Sequence, residues 1–232
     1  MLDEILHEKE YPRDKRLFII DMMKKFELCY DIVPDKTFLV PDLLPKDEPF
    51  TGEWDGALAF QYHYPILPSS IITRFIVRMS DSIHKTVWRS GVVLKNGGNT
   101  ALVKADTEEK KIYIWVNGME NTRRDFLSAI RSQFESIHKT ITKLEVREKV
   151  PVPGHVNAEP VDYSLLIQME RKGVETHYVQ AGGEVIEVNV HQLLNGVASQ
   201  AERERGGVTI NIHGNVTDSN LIAGDGNTAK KK

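Results

Sequence analysis

The chain holds many residues able to do chemistry and few spacings that would let them do it. A loop of the form G-x-x-x-x-G-K-[ST] cradles a triphosphate because successive backbone N–H groups and one lysine surround the phosphates. No such loop occurs, and Gly97-Gly98 has no lysine after it. The Gly-rich, V-A-I-K, H-R-D and D-F-G strings of a protein kinase are also missing. Eight histidines are scattered without an H-E-x-x-H pair or another tight metal-ligand spacing. Cys29 is the only cysteine, so neither an intrachain disulfide nor a thiolate zinc site can form, and a reducing, cytoplasmic compartment is expected. Lys104-Ala105-Asp106 and Glu108-Glu109 set carboxylates beside lysines, as solvated strand ends do, rather than pairing an acid with a base. No G-x-S-x-G elbow is seen, although a triad that meets only in space leaves no such mark. The expectation is a chain with no catalytic, cofactor-binding or metal-ligating residues of its own.

Two arginine sites stand apart. In the strand-like run 86–94, alternation sends neighbouring side chains to opposite faces, so one of Trp88 and Arg89 points inward and the other outward. Both residue types are enriched at interface hot spots. Two readings stay open: Trp88 is core and Arg89 a surface charge, or the pair belongs to a contact. Arg123-Arg124 opens a predicted helix where the helix dipole favours acids. A partner, a nearby acidic group or simple surface variation accounts for that placement.

The elements that would position these residues follow from periodicity. After Pro12, residues Leu17, Phe18, Ile20, Met22, Met23 and Phe26, with Lys24 and Lys25 opposed, predict a short half-buried helix. Apolar runs at 29–33 and 37–40, split by Pro34-Asp35, predict a hairpin. Helix and hairpin together read as the end of a winged-helix-like unit. Pro41, Pro45 and Pro49 among acidic residues mark a domain boundary. Residues 57–64 predict a strand closed by Pro65 and Pro68. In the helix that follows, Ile72, Phe75, Ile76 and Met79 form one stripe, Ser69 or Ser70 is placed to cap, and Arg74 and Arg78 lie one turn apart on a polar flank. Three strand-like runs at 86–94, 100–105 and 111–116 are joined by hairpin-like connectors. Beyond Asn117-Gly118, with Asn121 or Thr122 as cap, Phe126, Ile130, Phe134 and Ile137 predict a long helix over one sheet face. Residues 142–152, ending in Pro151 and Pro153, predict an edge strand. A loop at 154–160, a helix at 161–171, a hairpin at 176–188 and a helical turn at 192–197 complete the folded region.

Length and composition agree with this picture. A chain of 232 residues with 41% hydrophobic and 27% charged residues makes one large or two small domains with a true core. A formal charge of −3 creates no field that would draw in nucleic acid or an anionic membrane. No apolar run reaches the roughly 20 residues that span a bilayer, and the first residues lack the apolar stretch of a signal peptide. The expectation is therefore no nucleic-acid partner and no membrane partner.

Five strings occur in an order that resembles COR-domain signatures of Roco proteins. They are Phe26-Glu27-Leu28-Cys29-Tyr30, Phe38-Leu39-Val40-Pro41-Asp42-Leu43-Leu44-Pro45, Arg74-Phe75-Ile76-Val77-Arg78, Trp88-Arg89-Ser90-Gly91-Val92 and Pro151-Val152-Pro153-Gly154. The Trp-Arg-x-Gly string is the most specific. In such proteins the module follows leucine-rich repeats, a Ras-like Roc GTPase and a first COR subdomain. The resemblance implies that residues 1–45 end a first, winged-helix-like COR subdomain and that 50–197 form the second, through which bacterial relatives dimerise. It also implies a platform that docks a Roc-type GTPase and forms a homodimer, with Trp88, Arg89, Arg74 and Arg78 as candidate contacts. GTP and magnesium would then enter only through a GTPase domain supplied elsewhere, and the chain alone would not be an enzyme. The alternative is a fragment of a Roco-type serine/threonine kinase or GTPase enzyme whose catalytic domains lie outside this chain.

The remaining residues, 198–232, form a linker and tail. Behind Gly206-Gly207, two β-prone segments at 208–216 and 219–227 read either as rungs of a self-associating β-repeat or as a flexible tail with strand propensity. The expected fold class is thus α+β: a winged-helix-like end piece, a mostly antiparallel sheet covered by helices, and a flexible β-prone tail.

Overall fold

Pro12 stands at the N-cap of helix α1 (Arg13–Lys25), and Lys24 and Lys25 in its last turn complement the helix dipole. The structure, a computed structural model, describes residues 10–34 and 36–198. Asp35 of the predicted turn and the β-prone segments at 208–216 and 219–227 lie outside the described residues. Strands β1 (Tyr30–Val33) and β2 (Thr37–Leu39) pair antiparallel, and a 3-10 turn at Pro41–Leu43 follows. This is the expected helix and hairpin. Little of it is buried, however: Ile20, Cys29 and Pro41 are, while Leu17, Phe18 and Phe26 remain 44%, 64% and 58% exposed.

A seven-stranded sheet carries the rest of the fold. It comprises β3 (Leu58–His63), β4 (Ile83–Trp88), β5 (Gly91–Asn96), β6 (Asn99–Asp106), β7 (Lys111–Asn117), β8 (Arg147–Val150) and β9 (Val161–Asp162). Their spatial order is β4-β5-β6-β7-β3-β8-β9, with every pairing antiparallel. Helices α2 (Ser69–Arg78) and α3 (Glu120–His138) cover one face. Beyond the sheet come α4 (Tyr163–Arg171), the hairpin β10 (Thr176–Ala181) and β11 (Glu184–Asn189), and α5 (Val190–Asn195). The architecture is α+β, as expected.

Strand alternation sorts the core. Phe60, Tyr62, Val92, Leu94, Val103, Ile112 and Ile114 point to the helical face and meet Ile71, Ile72, Phe75 and Ile76 of α2 and Phe126, Ile130, Phe134 and Ile137 of α3. Phe75 and Phe134 stack at 4.2 Å between the two helices. Each such fully buried side chain contributes about 1.5–3 kcal/mol. The opposite face builds a second, smaller cluster from Trp88, Val93 and Leu102, with Trp54 and Trp115 packed against it.

Four expectations need correction. The run 86–94 is not one strand but parts of β4 and β5, folded back at Arg89-Ser90. The run 142–152 contributes only β8, which lies inside the sheet between β3 and β9 rather than at its edge. Residues 161 and 162 pair with β8 as the true edge strand, so the last long helix begins at Tyr163. The expected serine, asparagine and threonine caps are absent. Pro68 and Met119 occupy the N-cap positions without side-chain capping bonds, and the Thr122 hydroxyl hydrogen-bonds the Asn99 amide instead. Among the described residues no helix is long and apolar enough to cross a membrane.

Candidate interaction site

The sharp turn at Arg89-Ser90 depends on its two flanking residues. Trp88 pairs with Gly91 across the turn, and its indole lies directly on the glycine, where an added Cβ would sit 2.2 Å from the ring. No real Cβ is tolerated at that distance, so the tryptophan requires the glycine. Trp88 is only 1% exposed and belongs to the second core cluster. Its structural position is core, and it offers no accessible surface in this chain.

Arg89 sits in the turn rather than on a strand face. Its backbone N–H donates to the Pro45 carbonyl at 2.9 Å, and its Nε donates to the Leu44 carbonyl at 3.1 Å. Arg89 also lines a cavity of about 350 Å³ with Asp42, Lys46, Ser69 and Thr73. The predicted boundary at 41–49 is therefore stitched to the sheet at this hairpin. Lys104 adds a salt bridge to Glu48 at 3.0 Å.

Arg74 and Arg78, one turn apart on α2, converge on a single carboxylate. Arg74 Nε meets Glu27 Oε2 at 2.6 Å, and Arg78 Nε meets Glu27 Oε1 at 2.6 Å. Arg74 Nη1 donates onward to Thr140 Oγ1 at 2.7 Å, beyond the end of α3. Burial alone would push the Glu27 carboxyl up, but hydrogen bonds from Arg78 and Arg74, together with their charge, hold it below the usual carboxylate value.

Glu27 occupies an unusual place. Its φ of +58° is left-handed, and its N–H and that of Leu28 return to the carbonyls of Lys24 and Met23 in a Schellman termination of α1. Glycine is the usual residue there, and a side chain costs about 1–2 kcal/mol. Hydrogen bonds to charged groups contribute about 1.5–3 kcal/mol each, enough to outweigh that strain. Three of the four sequence-predicted contact residues, Arg74, Arg78 and Arg89, thus hold the end piece against the sheet unit. They lie along α2 in two places: Arg89 near its first turn and the pair near its last.

Several interacting residues escaped the sequence reading. Glu27 gave no local signal, since its partners lie 47 and 51 positions away. Arg131 did leave a mark: a cation beside Ile130 and three positions before Phe134, on the apolar stripe of α3. It is buried, with its guanidinium 4.6 Å from the Phe60 ring and 4.3 Å from the Tyr163 ring. Its Nη groups reach the Val197 carbonyl and Glu148, both at 3.3 Å, so one buried cation ties α3, β8 and the end of the described chain. Of the two basic residues at the helix start, Arg124 donates to the carbonyl of Asn195, the last residue of α5, at 3.4 Å. There a cation meets the negative end of another helix. Among the described residues no cluster of three or more metal-ligating side chains occurs.

These features define an α+β domain with an antiparallel seven-stranded sheet and an arginine-bound helix-hairpin piece at its side. Residues 55–196 of the 232 match the family described as "C-terminal of Roc, COR-B domain". The chain belongs to that family, the COR domains of Roco proteins. It is also similar to a protein of Dictyostelium discoideum named "Probable serine/threonine-protein kinase pats1", with 26% identity over 151 residues covering 56% of this chain. The chain spans 5% of the length of that relative.

Proposed function

We propose that this chain is a dimerisation and docking platform for a Roc-type GTPase in cytoplasmic signalling, with no catalytic activity of its own. The observation that carries this reading is the uneven burial of the two parts. The sheet unit closes its core, whereas the end piece leaves Leu17, Phe18, Phe26, Leu28, Ile32 and Leu43 exposed within about 27 residues. An apolar surface of that density next to a closed core is suited to a partner. The platform would act by geometry, holding two GTPase units in fixed relation so that nucleotide state shifts the population between associated and loosened forms. GTP and magnesium would reach the assembly through the GTPase, because this chain carries no phosphate-cradling loop.

A second reading draws on the Dictyostelium relative, whose name describes a kinase and whose length greatly exceeds this chain. In that reading the same platform is a piece of a larger enzyme with its catalytic domains elsewhere.

Phe18→Asp tests the docking surface. Phe18 is largely exposed, so the melting temperature should change little, within about 0.5 kcal/mol of stability. Affinity for a separately supplied Roc-type GTPase domain, measured by calorimetry, should fall by about 2 kcal/mol or more if the residue lies in the contact. Unchanged affinity would place the docking surface elsewhere.

A further inference from the structure

Among the described residues the end piece buries little of its own, and polar links to α2 and to the β4–β5 turn help to attach it. Among these, the Glu27 carboxylate is gripped from both sides by Arg74 and Arg78, each at 2.6 Å, and Arg74 is itself braced by Thr140. The residue that supplies this carboxylate sits at φ +58°, where glycine would terminate α1 without strain. A side chain kept in a costly conformation and paired twice across a boundary points to a role beyond ending a helix.

We propose that Glu27 is an intramolecular clasp, a positioning residue that locks the 13–43 end piece onto α2 and whose opening releases that piece as a unit. Among the described residues of the end piece only Ile20, Cys29 and Pro41 are buried, and Tyr30 packs against the main core, so the clasp supplements a small apolar contact. With its carboxyl held below the ordinary value, Glu27 is charged and the clasp closed at neutral pH. Because both arginines come from one face of α2, loss of the single carboxylate opens both bonds together. The clasp would hold the exposed apolar surface of α1 at a set angle to the sheet, whatever partner covers that surface.

Hydrogen exchange followed by mass spectrometry on the full chain at neutral pH tests this. Glu27→Gln and Glu27→Gly should each speed exchange of the protected amides in 13–43 by tenfold or more, with β6, β7 and α3 unchanged. The glycine variant separates the clasp from a mere helix terminator: glycine suits the left-handed position, so a residue that only ends the helix would give unchanged or slower exchange on replacement. Unchanged or slower exchange in Glu27→Gly would overturn the proposal. Should a Glu27 variant fold poorly, Arg78→Gln alone should still speed exchange in 13–43, and unchanged exchange in it would overturn the proposal; where Glu27→Gln folds, the double variant Glu27→Gln/Arg78→Gln adds a second measurement. The clasp predicts that the double variant exchanges no faster than the faster single variant, whereas simple addition of the two effects would contradict it.

Discussion

Gly91 shows how one residue decides the fate of a signature. The Trp-Arg-x-Gly string reads as strand by alternation, yet the glycine lets the Trp88 ring fold over it and turns the chain back on itself. Gly91→Ala places a methyl group inside the indole and should destabilise the protein by about 1–3 kcal/mol through overpacking, measurable as a lower denaturant midpoint. A midpoint equal to that of the parent would show that Trp88 repacks freely. His138 offers a different test. Burial lowers its pKa from 6.5 to about 4, against a smaller opposing effect from Glu135, and its Nε2 lies 2.8 Å from the Tyr64 hydroxyl. The folded state therefore holds a neutral imidazole while the unfolded chain protonates near pH 6.5. Between those values the unfolded state binds more protons, so stability should fall as pH drops from 6.5 to about 4 and this contribution should level off below. His138→Gln should flatten the decline of melting temperature over that window. His63, also lowered to about 4, contributes to the slope in the same window.

At the scale of elements, what the sequence made legible was periodic and local. The α3 stripe of Phe126, Ile130, Phe134 and Ile137 is buried as its spacing requires, and the strands at 100–105 and 111–116 lie within β6 and β7. The hairpin β1–β2 is marked by its turn residues, and β10–β11 falls on the hairpin expected at 176–188. Errors arose where tertiary pairing overruled local pattern. A four-residue strand such as β8 carries too little pattern to show whether a neighbour flanks it on both sides, and only the pairing of Val161 and Asp162 with Val150 and Lys149 makes it internal. Thr122 does not cap because it bonds Asn99, 23 positions away, and the serines fall inside α2, whose N-cap is Pro68. The arginine junction was half legible: Arg74 and Arg78 were singled out for their spacing, but their carboxylate lies in another element.

For the whole molecule, the central question is what the exposed end piece and the COR-B sheet unit assemble with. The fold supplies a seven-stranded body, an arginine junction that holds a small apolar piece against it, and membership of a family described as C-terminal of Roc. Arg89→Glu is a poor probe of partner binding, because Arg89 also bonds Leu44 and its loss would disturb the junction itself. Sedimentation of the intact chain tests the assembly more directly. Measured across a concentration series, alone and with a separately supplied Roc-type GTPase domain, the chain should move from monomer towards dimer mass and should cosediment with the GTPase. A chain that stays monomeric at the highest concentration and sediments apart from the GTPase would contradict the platform account.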